Sequence, residues 1–320
     1  MGVIDTLAKS YNLISKRVWL ALLPVLLDLA LWLGPQLSLV PLLQQQPDLT
    51  DAPPDLVRTM QSLEQIRHSA VELAEGFNLF SVLALFAPQT LGVPSLVAGG
   101  LPKESFVQHP WVIAIRSNVA FYGWIFLLLV VGALIGCLYW GLIAQQVRDG
   151  HTDLRSLWKR APVWWSKLVL FSFSLLAAAL LLLFPLLLAI SILAIVSQEL
   201  AFVALGVLTM LLLWVAVLIF LYGFFFTAAL IIDDQGVLRA IRSSVLVVHR
   251  NFWSTLGLIL LINVITAGLT IIWRNLTSSS WGTLFGIAGN AYVGSGLIAA
   301  SLTFYHSRRE QGQQREDTKQ

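Results

Sequence analysis

Asp28 is the residue whose chemistry most needs explaining. It sits within Leu26-Leu27-Asp28-Leu29-Ala30, where an unpaired carboxylate is costly if the run lies in lipid. Such a group either keeps its proton or takes a hydrogen bond from another apolar run, where Asn118, Asn263, Ser191 and Ser295 are the donors on offer. It could serve a proton or solute path, or bond helix to helix, and the structural role is the expected one. No second mid-run carboxylate or lysine accompanies it. The ionisable groups of a pump or secondary transporter, and the polar-lined span of a channel, are therefore missing from the pattern.

The remaining reactive residue types do not assemble into a familiar constellation. His68, His109, His151, His249 and His306 are scattered, with no HExxH or other metal-ligand spacing. Serine elbows, phosphate-binding loops and dinucleotide fingerprints are absent as well, so no enzyme activity, cofactor or metal is expected. Asp233-Asp234 could handle a metal or phosphate, but the pair precedes a helix starting near Gly236 and is expected to cap it. Cys137 is the single cysteine, which allows neither an internal disulfide nor a thiolate metal site.

The elements that carry these residues follow from composition. Of 320 residues, 57% are hydrophobic and 12% charged, with a mean hydropathy of +0.79. The charges fall between apolar runs, as in a chain surrounded by lipid. A net charge of +3 comes from short basic clusters beside those runs, so nucleic acid is not an expected partner. The expected fold is all-α: an integral membrane bundle of six transmembrane helices, three interfacial amphipathic helices and a partly helical external insertion. The spans are placed at 18–40, 116–145, 166–196, 201–230, 253–273 and 282–305.

A repeat organises the chain. Gly2-Val3-Ile4 through Trp19 matches Gly236-Val237-Leu238 through Trp253 without a gap, 234 residues apart, pairing Ser10 with Ser244, Ile14 with Val248 and Lys16 with Arg250. A weaker middle copy runs from Asp153 to Lys167. Each copy reads as a surface helix leading into two spans. Its apolar side is expected to be Ile4, Leu7, Tyr11 and Ile14 in the first copy, Leu154, Leu157, Trp158 and Trp164 in the second, and Val237, Ile241, Val245 and Val248 in the third. Lys16, Arg17, Arg155, Lys159, Arg160, Arg239, Arg242 and Arg250 are the candidates for contact with lipid headgroups or a partner. Trp19, Trp164, Trp165 and Trp253 are the expected interfacial anchors.

Charge places these basic loops on the cytoplasmic side with both termini, and an acidic loop outside. The segments are 1–40, surface helix and first span; 41–112, extracytoplasmic insertion; 113–147, second span; 148–231 and 232–306, each a surface helix with two spans; and 307–320, a disordered tail. Within the insertion, Gln44 to Pro54 reads as a linker and Pro54 to Ala74 as a helix through Leu56, Met60, Leu63, Ile66 and Val71, together forming a small cap.

The stretch Phe224-Phe225-Phe226-Thr227-Ala228-Ala229-Leu230, with Asp233, Gly236-Val237, Ala240-Ile241, Ser243-Ser244, Asn251-Phe252-Trp253 and Leu256, resembles prokaryotic multi-span proteins related to the membrane domain of glycerophosphoryl diester phosphodiesterases, and YciC-like membrane proteins. The resemblance covers about residues 200–275. It implies a helical bundle in a prokaryotic plasma membrane, and no phosphodiesterase activity, which belongs to a separate soluble barrel. The expected function is non-enzymatic support or organisation of a membrane process through membrane lipids or a membrane or cytoplasmic protein. The alternative is a transporter or lipid-handling protein with a cavity between repeats.

Overall fold

Apolar runs of this length leave the backbone one economical way to pair its polar groups without water, the α-helix. The computed structural model describes residues 2–45, 67–84, 92–100, 102, 106–107 and 110–317, and helices dominate it. In order they are α1 (Val3–Lys16), α2 (Leu22–Leu33), α3 (Val40–Leu43), α4 (Asn118–Arg148), α5 (Leu154–Val196), α6 (Gln198–Gly223), α7 (Phe226–Ile232), α8 (Val237–Arg250), α9 (Phe252–Leu276) and α10 (Ser280–Asp317). Strands β1 (Gln36–Ser38) and β2 (Val112–Ala114) form a short parallel pair in which Leu37 lies opposite Ile113.

Among the described residues, five helices are long and apolar enough to cross a membrane: α4, α5, the combined stretch Gln198–Ile232, α9 and Ser280–Gly312 of α10. The run expected as the first of six spans differs. It forms a shorter apolar helical segment, Val18–Leu33, made of a 3-10 turn and α2, and then becomes extended at β1. Pro35, following Gly34, helps stop the helix there, since it has no N–H for a further turn.

The surface helices hold a second difference. α1 and α8 have matching bounds, 14 residues each, so the repeat is real in structure. The middle copy is not a separate element, because α5 runs as one helix of 43 residues through Pro162 and Pro185. Residues 307–317, expected as a disordered tail, continue α10. Of the helix expected over 54–74, only the end is described, in a helical segment at 67–75; Leu56, Met60, Leu63 and Ile66 lie outside the described residues, as does His109.

The chain divides into two compact units. One comprises Met1–Thr6, Trp140–Leu260 and Ala300–Gln320. Here α8 packs against α7, α6 and α5, and Phe225 stacks on Phe304 with ring centres 5.5 Å apart. The most apolar stretches of α5 and α6 have no buried residues, as befits lipid-facing helices.

The other unit comprises Leu7–Tyr139 and Leu261–Ala299. Leu31 and Trp32 of α2 cluster with Ala84, Val97 and Ala98 of the insertion and Ile287 of α10. A second cluster joins Leu37, Leu79, Ile115 and Leu128. Tyr139 meets Ser295 at 2.7 Å, and Ser295 in turn donates to the Ala291 carbonyl at 2.6 Å.

Candidate functional site

Two polar centres stand out, one in each unit. The first surrounds Asp28, which is fully buried. Its partners come from the insertion rather than from another span: Ser95 Oγ donates to Oδ1, Leu96 N donates to Oδ2 at 2.8 Å and Val97 N to Oδ1 at 3.3 Å. Ser95 Oγ also accepts from Ala98 N at 3.0 Å, so the carboxylate and the serine together cap the 3-10 turn Val97–Gly99. Three donors on one carboxylate are an anchoring arrangement.

The donors expected for Asp28 lie elsewhere. Asn118 is exposed at the start of α4, Asn263 is exposed on α9, and Ser191 Oγ donates to the Leu187 carbonyl of its own helix at 2.8 Å. Asn78 is a further polar residue that the sequence reading passed over. Buried, it accepts from Leu37 N at 2.9 Å and Phe80 N at 3.1 Å, and it donates to the Leu31 and Pro35 carbonyls at 3.4 and 3.3 Å. An Asn just before an apolar turn is the helix-start signal that could have revealed it.

The second centre is the linker between α7 and α8. Asp233 accepts from Tyr305 Oη at 2.5 Å and pairs with Arg309. Asp234, in the left-handed region at φ 51°, accepts from Trp164 Nε1 at 2.7 Å and lies 4.0 Å from Arg160. Arg148 donates to the Ile232 carbonyl at 3.0 Å, and Lys167 to the Gln235 carbonyl at 3.2 Å. With its oxygen turned to Arg309 Nη2 at 3.2 Å, the Gln235 amide donates to Ser243 Oγ and the Arg239 carbonyl. Side chains of α4, α5 and α10 thus hold the last residue of α7 and the three linker residues after it, and set the direction in which α8 leaves.

This geometry overturns the capping role expected of the aspartates. Gly236 is the N-cap of α8 and offers no side chain, while Asp233 closes α7. Each carboxylate is taken by an arginine and an aromatic donor, which compete for it more strongly than a neutral backbone N–H. Both already hold strong donors, so neither is disposed to act as a base or metal ligand. Among the described residues no three His, Cys, Asp or Glu side chains gather as a metal site.

Buried polar side chains fix α8 and the start of α5 in this unit. Ser244 Oγ donates to the Tyr222 carbonyl at 2.6 Å and accepts from Phe225 N at 3.2 Å, bridging the break between α6 and α7. Gln145 accepts from Asp153 N at 3.0 Å and donates to the Asp153 carbonyl at 3.2 Å. Asp153 itself caps α5 through Arg155 N and Ser156 N, and those backbone bonds, led by Ser156, hold its carboxyl below the usual range. Asp149 is likewise lowered, first by its hydrogen bonds from Arg148, both at 2.8 Å.

The residues these helices bury in the protein are only partly those of the apolar faces expected to lie on the membrane surface. On α8 they are Ala240, Ser244, Val247 and Val248, while Val245 is exposed. On α1 they are Thr6, Leu7, Ser10 and Ile14, while Ile4 is exposed. On α5, Leu157 and Trp164 are buried but Leu154 and Trp158 face outward. Apolar periodicity selects the largest side chains, whereas close helix packing selects small ones and the hydroxyl that can reach a broken backbone.

The candidate basic residues mostly point away from the protein. Lys16, Arg155, Lys159, Arg160, Arg239, Arg242 and Arg250 are exposed and Arg17 is half-buried. Among the described residues, Arg155, Lys159, Arg239 and Arg242 form no ion pair. The tryptophans divide. Trp19 and Trp253 are exposed at 45% and 80%, Trp165 is half-buried, and Trp164 is buried at 2%, a core residue rather than a headgroup anchor.

A family model described as a domain of unknown function, DUF7847, matches residues 60–302, and the chain belongs to that family. Neither the curated proteins nor the solved structures provide a match.

Proposed function

We propose that this DUF7847 member is a multi-pass plasma-membrane protein of a prokaryote that acts without catalysis, gathering anionic lipid headgroups at its cytoplasmic face to organise a membrane process. The observation that carries this reading is the outward set of Arg155, Lys159, Arg239 and Arg242, exposed and unpaired among the described residues, on helices fixed by Gln145 at the start of α5 and by Ser244 on α8. Exposed Trp158 beside Lys159 supplies the amphipathic ring that favours the headgroup layer. Each basic side chain near an anionic surface contributes about 1 kcal/mol.

Native mass spectrometry tests it after extraction from bilayers containing equal phosphatidylglycerol and phosphatidylcholine. The wild type is expected to retain phosphatidylglycerol preferentially, and the quadruple Gln variant at Arg155, Lys159, Arg239 and Arg242 to lose the preference. Equal retention by both proteins refutes the lipid reading. A stoichiometric protein retained by the wild type alone replaces it with a protein contact.

A solute- or lipid-handling role is the second reading. It draws support from the interrupted backbone at Tyr222–Phe225, since discontinuous spans are where transporters place binding sites.

A further inference from the structure

We infer that the insertion is not a cap above the bundle: residues 78–84 and 92–98 re-enter the hydrocarbon layer and complete the outer half of an interrupted first span, with Asp28 and Asn78 as the locks. This goes beyond the lipid-contact reading and rests on α4 and α10 crossing the bilayer.

Depth is the first argument. Gly132 lies at the centre of α4, and a Cβ added there would come 2.8 Å from the Leu83 carbonyl oxygen and 3.1 Å from its Cα. The backbone of the insertion therefore touches α4 halfway along its length. Gly294 lies near the middle of the apolar part of α10, and a Cβ there would collide with the Pro94 ring, as one at Gly286 would meet Leu96 Cδ2 at 2.9 Å. Gly132 and Gly294 are each about 14 residues, or about 21 Å, from the start of their helices. A cap resting on the ends of the helices would not reach that depth in a layer about 30 Å thick.

Polar accounting is the second. Non-helical backbone is tolerated in hydrocarbon only when protein satisfies it. Here Asp28 takes the Leu96 and Val97 N–H groups, and Asn78 takes Leu37 N–H while serving the Leu31 and Pro35 carbonyls left by the end of α2. β1 and β2 pair the next residues with each other. Asn78 serves carbonyls at the end of α2, and Asp28, inside α2, serves N–H groups of the insertion, which accounts for a carboxylate in an otherwise apolar run.

Length is the third. Val18–Leu33 provides about 24 Å as helix, and residues 34–38 add about 16 Å if extended. Together they cross the bilayer, so the chain passes through once more than its five long helices alone provide.

Two measurements in a Cys137→Ala background test this in native membranes. A nitroxide on Val131→Cys, beside Gly132 and partly exposed, reports depth from relative oxygen and nickel-chelate accessibility. It is expected at the bilayer centre; a headgroup-level value removes the premise that Gly132 is deep. Ala98→Cys, buried at 6%, is expected to resist an impermeant maleimide from either side, with exposed Gln45→Cys labelled as the control. Labelling of Ala98→Cys at the control rate overturns re-entry even if the depth result stands.

Adding Asp28→Asn, or the milder Ser95→Ala, is expected to raise labelling at residue 98 about tenfold by freeing the segment to open locally. No increase with either variant overturns the locking role of Asp28.

Discussion

Replacing Ser244 by Ala removes one oxygen, but it severs the bridge across the break between α6 and α7. The Tyr222 carbonyl and the Phe225 N–H both lose their side-chain partner, at a position where Ser244 is 1% exposed. An unsatisfied buried group costs about 1–3 kcal/mol, and interhelical bonds measured in a membrane average nearer 0.6 kcal/mol. Weighing two groups between those limits gives about 2–4 kcal/mol. At about 2–4 °C per kcal/mol, Tm in detergent should fall by about 4–16 °C. Ser243→Ala, one position away and half-buried, gives up its bond to the Gln235 amide, about 1 kcal/mol, and should shift it by about 2–4 °C. Limited trypsin digestion gives an independent readout, since a loosened α8 should be cut faster at Arg239 and Arg242. If Ser244→Ala matches Ser243→Ala in both assays, the hydroxyl does not staple the break and the docking argument fails.

Two further outcomes follow from the site. Trp164→Phe should lower Tm by several degrees, because it gives up a charge-assisted bond of about 1.5–3 kcal/mol to Asp234, whereas Trp253→Phe, at 80% exposure, should leave Tm within about 1 °C; equal effects would contradict the assignment of Trp164 to the core. For Asp149, Arg148 depresses the folded pKa, so its stabilisation is present above the unfolded value of about 3.9 and is lost as pH falls through the lower folded value. The difference in Tm between wild type and Arg148→Gln should narrow below about pH 4, by no more than the equivalent of about 1 kcal/mol for so exposed a pair, and a difference unchanged from pH 6 to pH 3 would refute it.

The helical class and the repeat of α1 and α8 were legible because both depend on local pattern: apolar length for the spans, and aligned Ser10/Ser244 and Lys16/Arg250 for the copies. The roles of Asp28, Asp233 and Asp234 were not, because their partners are 67 to 76 residues away in the chain. A lone carboxylate announces that it needs a donor but not whether Asn263 or the backbone of residue 96 provides it. Trp164 and Trp253 show the same limit. Both stand beside a basic residue at the start of an apolar run, yet only the fold places Asp234 against one indole. The interrupted first run was hidden differently, since hydropathy over 18–40 does not record that Asn78 can end the helix at Leu33.

The matching bounds of α1 and α8 conceal a difference in time. α8 follows α6 and α7 directly, so the Tyr222 carbonyl and Phe225 N–H that Ser244 bonds already exist when it leaves the ribosome. Tyr11 of α1 donates instead to the Val293 carbonyl, 282 residues further on, and at about 5–20 residues per second that acceptor is synthesised about 15–60 s later. Through that interval the amino-terminal helix has no such partner, and any product stopping short of α10 never supplies one. Two copies of one helix therefore meet biosynthesis on opposite terms: the later one docks as it emerges, and the earlier one waits for nearly the whole chain.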